Sequence, residues 1–172
     1  MTPLRTARIA GVFYLLNIVA GSLALVAGNL VVNLVASASY IVVTVLFYGI
    51  FRPVSRSLSL IAALFSLLGC VAGILSRLRL ATLPVNNLVF FGIYCLLIGY
   101  LIFRSTFLPR MLGVLMAVGG VGWLTFLWPP LARQLSPYNL APGILGEGAL
   151  TVWLLVKGVN VSKWEEEAAR GA

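Results

Sequence analysis

Histidine is absent from this chain, and acid is almost absent: of 172 residues only four are Asp or Glu. Three of those, Glu165 to Glu167, stand together in the tail, which leaves Glu147 as the single carboxylate of the preceding sequence. Without imidazole, the usual general base, haem ligand and most frequent metal ligand are all missing. Cysteine is scarce too. Cys70 and Cys95 each lie within an apolar run, far from any CxxC spacing, so both read as buried inert thiols. Charged residues make up 9% of the chain, where a soluble domain carries about 25%. So few charges cannot furnish a surface for water.

What is there is hydrocarbon. Apolar residues reach 61% and the mean hydropathy is +1.07. From Ile9 to Phe51 no charge occurs, a helical length roughly twice the ~30 Å hydrocarbon thickness of a bilayer. The run must fold as a hairpin, with Gly28, Asn29 and Asn33 as its polar break. The same reasoning predicts an all-α integral membrane protein, a six-helix transmembrane bundle forming one domain. Its spans are expected at 8–27, 33–51, 58–76, 88–103, 111–128 and 142–159, followed by a short cytoplasmic tail at 160–172. The breaks fall at Arg52-Pro53, at Leu83-Pro84-Val85-Asn86-Asn87, at Pro109, and at the segment holding Pro129, Pro130, Arg133 and Pro137. Arg5 and Arg8 precede an apolar stretch too long for a signal peptide, so Ile9–Ala27 reads as a retained first span.

The formal charge of +8 comes from twelve Lys and Arg. All but Arg170 flank apolar runs, and none forms a basic cluster on a soluble fold, so nucleic acid is not an expected partner. Membrane lipid is. With the N-terminus inside, Arg5, Arg8, Arg52, Arg56, Arg104, Arg110, Lys157, Lys163 and Arg170 fall on the cytoplasmic side, against Arg77, Arg79 and Arg133 outside. That bias predicts cytoplasmic N- and C-termini. Trp123, Trp128 and Tyr138 then mark the outer interface, and Tyr48, Tyr100 and Trp164 the inner one.

Tyr48-Gly49-Ile50-Phe51-Arg52 matches Tyr100-Leu101-Ile102-Phe103-Arg104 at all but one position, which raises a duplication of helical hairpins, 33–76 and 88–128. The competing reading is that every inner helix end independently favours an aromatic followed by arginine. Small residues at four-residue spacing (Gly69 and Gly73; Ala20, Ala24 and Gly28) and the glycines of span five predict close helix packing. The same faces would also serve a homo-oligomer.

Glu147 is the first candidate for function, because an ionisable group at membrane depth costs about 3 kcal/mol on insertion scales. Two readings stay open. It ties span six to the bundle through Arg77, Arg79 or Arg133, or through Asn17, Asn29 or Asn33; or it is a coupling site for protons or cations. Asn17 and Asn33 are the polar candidates from the first two spans. No nucleophile–base pair, paired carboxylate, phosphate loop or metal cluster is visible, so neither catalytic residues nor cofactors are assigned. A structural or binding role within the bilayer is favoured, with small-solute or proton-coupled transport next and an enzyme acting on lipid third.

Several stretches carry a family resemblance: Arg8-Ile9-Ala10-Gly11-Val12-Phe13-Tyr14, Phe47-Tyr48 to Val54, Gly99-Tyr100-Leu101-Ile102-Phe103-Arg104, Leu108-Pro109-Arg110-Met111-Leu112-Gly113, and Gly146-Glu147 with Trp153-Leu154-Leu155-Val156-Lys157-Gly158. In this order they resemble a bacterial membrane family known only as domain of unknown function 4386. The resemblance implies a multi-span protein of the bacterial cytoplasmic membrane and no activity. The chain departs from that pattern in its short links after the first span and before the fourth, where family members carry longer polar segments.

Overall fold

The structure, a computed structural model, describes residues 2–81 and 85–170. Leu83 and Pro84, read as part of a break, lie outside the described residues, as do the last two residues of the tail. Among the described residues every regular element is helical: α1 (Pro3–Ala27), α2 (Leu30–Phe51), α3 (Arg56–Arg77), α4 (Asn87–Arg104), α5 (Arg110–Leu124), α6 (Pro129–Leu135), α7 (Ala141–Val156) and α8 (Val161–Arg170). Six helices are long and apolar enough to cross a membrane, with α5 extended by a 3-10 turn to Leu127 and α7 preceded by one at Tyr138–Leu140.

The polar breaks of the sequence become caps. Gly28 adopts a left-handed conformation (φ 61°) that ends α1, a geometry without penalty for a residue lacking Cβ. Asn29 then starts α2 by accepting from Val31 N at 2.8 Å, and Asn86 starts α4 by accepting from Leu88 N at 3.0 Å. Each cap satisfies a backbone donor that hydrocarbon would leave bare.

The spanning helices form a ring. Each packs on its sequence neighbours, α1 on α2, α2 on α3, α3 on α4, α4 on α5 and α5 on α7, and α7 closes the circuit on α1. The ring is tightest between α4 and α5, where Gly99 faces Gly113 and Gly92 faces Gly120 across paired backbones. Asn17 Nδ2 joins α1 to α2 by donating to Ala36 O at 3.0 Å, and Thr44 and Ser66 hydroxyls bond across α2 and α3. The outward faces are aliphatic, as at Val19, Leu23, Val45, Leu64 and Leu68, which suits lipid rather than water.

The two halves of the ring interior differ. Toward the chain termini it is filled by Phe47, Phe51, Ile98, Leu101, Leu150 and Leu154. The tail then covers this end: α8 places Trp164 so that its indole donates to Ile50 O at 2.9 Å, and Glu167 Oε2 accepts from Thr106 N and Oγ1 at 3.1 and 3.0 Å. The tail expected from sequence is thus an amphipathic helix docked on the bundle, and two of its three acids have partners, since Glu166 meets Arg170 at 3.7 Å. The matched pentapeptides end in unlike surroundings, with Phe51 in the core and Phe103 exposed beside Arg110. Their aromatics therefore do different jobs in the two hairpins.

Candidate functional site

Glu147 lies six residues into α7, about 9 Å from the helix start at 1.5 Å per residue. Its side chain points into the ring and is 9% exposed. Oε1 accepts from Trp123 Nε1 at 3.2 Å and from Cys95 Sγ at 3.5 Å. Both donors are neutral. Tyr14 reaches toward the carboxyl without good hydrogen-bond geometry. Gly146, in front of the glutamate, lets α7 meet the backbone of α5, since a Cβ there would stand 2.5 Å from Leu115 O. Gly143, one turn earlier, leaves room for the Trp123 ring that holds Oε1.

The expected ion pair does not form. Among the described residues no basic group lies within salt-bridge distance of Glu147. Arg77 sits at the end of α3, Arg79 in the turn beyond it with φ 56°, and Arg133 on α6, all exposed. Long cationic side chains at helix ends extend away from the ring to solvated positions, whereas Glu147 is buried inside it. In place of an arginine, the carboxyl meets the neutral donors Cys95 and Trp123. Trp123 is half-buried with its indole turned to Glu147, and Trp128 and Tyr138 are exposed.

What Glu147 does face is a cavity of about 300 Å³ inside the ring, open to the exterior and lined by all six spanning helices. It runs from Asn33 and Asn87, in the first turns of α2 and α4, past Asn17 and Ser37 to Tyr40, Trp123 and Glu147. Asn17 and Asn33 thus line the same cavity as Glu147. A smaller hollow of about 120 Å³ adjoins it through Asn33, Ser37, Gly73 and Asn87 and includes Arg77 at its rim. Arg133 lines a separate hollow with Asn86, Phe126 and Ser136. A larger groove of about 530 Å³ along α7 is walled by Ile144, Val152 and Val156 and is a lipid-facing furrow.

Sequence reasoning missed the neighbours. Cys95, an inert thiol by its sequence setting, donates to the carboxyl. Tyr14, Tyr40 and Tyr94 form an edge-on aromatic cluster next to the carboxylate, with ring centroids 5.6 Å apart for Tyr14 and Tyr40 and 5.7 Å for Tyr40 and Tyr94. All three hydroxyls are buried without a protein hydrogen bond. Buried hydroxyls normally find partners, and a tyrosine inside a long charge-free run is the signal that could have drawn notice.

Residues 85–158 match the profile of a family described as "Domain of unknown function (DUF4386)". The resemblance read from the sequence holds over this region. The DUF4386 match takes in Asn87, Phe91, Cys95, Trp123 and Glu147, one side of the cavity, while Asn17, Asn33 and Tyr40 come from the preceding helices. An uncharacterized protein of the archaeon Archaeoglobus fulgidus is 28% identical over 132 residues, covering 72% of this chain and 79% of the relative. No solved structure matches the chain.

Proposed function

We propose that this chain is a multi-pass protein of the cell membrane, both termini cytoplasmic, whose ring of six helices holds a ligand-binding cavity within the bilayer. Glu147 is its anchor. The observation that carries this reading is a carboxylate, without a basic partner among the described residues, on the wall of an open cavity. A carboxylate kept only as a structural tie is expected to be met by a cation or closed off from the exterior. This one receives neutral donors on one oxygen and faces open space. A binding role therefore accounts for the geometry better than a purely structural one.

Water access tests the proposal. Ser37→Cys in a Cys70→Ser background, in membranes, is expected to react with 2-hydroxyethyl methanethiosulfonate, because thiols react with such reagents as hydrated thiolates. Val45→Cys, on the lipid face of α2, is expected to stay unmodified. Equal protection of both introduced thiols would contradict a hydrated cavity.

Coupled transport is the second reading, favoured by the one-sided shape of the interior, a cavity in the half that holds Asn33 and packed side chains in the other. Solute-dependent proton flux in liposomes, lost in Glu147→Gln, would establish it.

A further inference from the structure

We infer that the ligand of this cavity is a small organic cation, an alkyl- or arylammonium whose charged nitrogen meets Glu147. The inference rests on the binding reading above and names the chemistry of that same site.

Charge comes first. Burying a carboxylate away from water requires compensation, and among the described residues no base lies within salt-bridge distance of it, Arg77 reaching only the rim of the adjoining hollow. Arg77, Arg79 and Arg133 are exposed at the same end of the ring, and the remaining bases flank the opposite end or the tail. Within the described residues no hydrogen bond reaches Glu147 Oε2, so this oxygen is left for a donor or charge arriving through the cavity.

The walls specify the rest of the ligand. Tyr40, Phe91 and Trp123 line the cavity beside the carboxylate, and aromatic faces attract ammonium groups most strongly where water is excluded. Ile18, Leu88 and Ile144 complete an apolar lining, which suits a hydrocarbon body attached to the charge. At about 300 Å³ the space is at the small end of ligand pockets. A bare divalent metal ion fits poorly: calcium takes roughly six to eight oxygen ligands, and among the described residues no group of three or more His, Cys, Asp or Glu gathers. An anion is disfavoured by Glu147 itself.

The same ammonium chemistry could arrive as a free solute or as a lipid headgroup, and the test separates them. The protein carrying Ser37→Cys and Cys70→Ser is placed in nanodiscs of phosphatidylglycerol, which lacks an ammonium group, and modified with the neutral methanethiosulfonate. Saturating benzyltrimethylammonium is expected to slow modification at least about tenfold, and Glu147→Gln to remove that protection, as loss of a buried charge partner does. Neopentylbenzene, the neutral carbon isostere, is expected to protect little. If phosphatidylcholine discs give the protection without added solute, the ammonium is a headgroup; if only the free cation protects, it is a solute. Either supports the assignment. Equal protection by cation and neutral isostere would overturn it, as would modification unaffected by any ammonium. In both of those cases the introduced thiol still reacts and the cavity stands. An introduced thiol that never reacts would instead remove the binding reading itself. Should Glu147→Gln fail to fold, the comparison of cation with isostere in protein that retains Glu147 decides alone.

Discussion

Gly113→Leu is expected to abolish the folded protein. A Cβ at Gly113 would stand 2.6 Å from Gly99 O and 2.8 Å from Phe103 N, and a Cβ at Gly99 would stand 2.7 Å from Gly113 O. The obstacles are backbone atoms, which cannot rotate aside. A second pair, Gly92 and Gly120, repeats the contact seven residues along each helix, with Cβ approaches of 3.0 and 2.7 Å to the opposing carbonyls. In lipid, helix association depends on close packing because hydrocarbon tails offer no hydrophobic force. Prising α4 from α5 therefore removes the contact that holds the ring together. Even Gly113→Ala is expected to cost about 1–3 kcal/mol, the usual range for overpacking. Gly49→Ala is the control. Nothing lies within 4 Å of a Cβ there, so the substitution should be neutral or gain up to about 1 kcal/mol from helix propensity. Size-exclusion profiles and thermal melting in detergent check the set; a well-folded Gly113→Leu would refute the backbone seam.

Glu147→Lys is expected to be nearly as damaging, for an electrostatic reason. The ammonium would be confined beside Cys95, Trp123 and Tyr14, with no other acid among the described residues of the ring. Glu165, Glu166 and Glu167 lie on α8, across the bundle's opposite end. An unpaired lysine at membrane depth costs about 3 kcal/mol on insertion scales, and the two neutral donors on Oε1 would face a group that cannot accept. Yield of monodisperse protein should fall well below that of Glu166→Lys, a charge reversal on the exposed face of α8. Equal yields would mean that the ring does not confine the side chain at this position.

The number of spans was legible because its signals are local. Charge-free runs, Asn29 and Asn86 as caps, and Pro109 before α5 each act within a turn of the chain. Glu147 was legible as a candidate by contrast with its setting. Its neighbours were not. In a membrane protein the lipid-facing side of a helix is as apolar as the core-facing side, so α2 and α4 carry little asymmetry to fix their rotation. Nothing in the run around Tyr40 or Cys95 says which way either points. The ring order was equally hidden, and it is ring order that brings Cys95 of α4 and Trp123 of α5 to one carboxylate of α7. Charge complementarity misled as well. Pairing the lone acid with Arg77, Arg79 or Arg133 is outweighed by snorkelling of helix-end arginines, and no such pair forms among the described residues. The tail was legible in principle: Val161, Trp164 and Ala168 share a face of α8, spaced as an amphipathic helix requires.

The central claim is that Glu147 serves a cavity and does not hold the bundle together. Thermal melting of Glu147→Gln beside the unaltered protein tests it most directly. An amide oxygen can still accept from Trp123 and Cys95, so the fold loses nothing it uses. The melting temperature is expected to be unchanged or higher. Breaking a buried ion pair costs about 3–5 kcal/mol, and a fall in melting temperature reflecting a loss of that size would contradict the account.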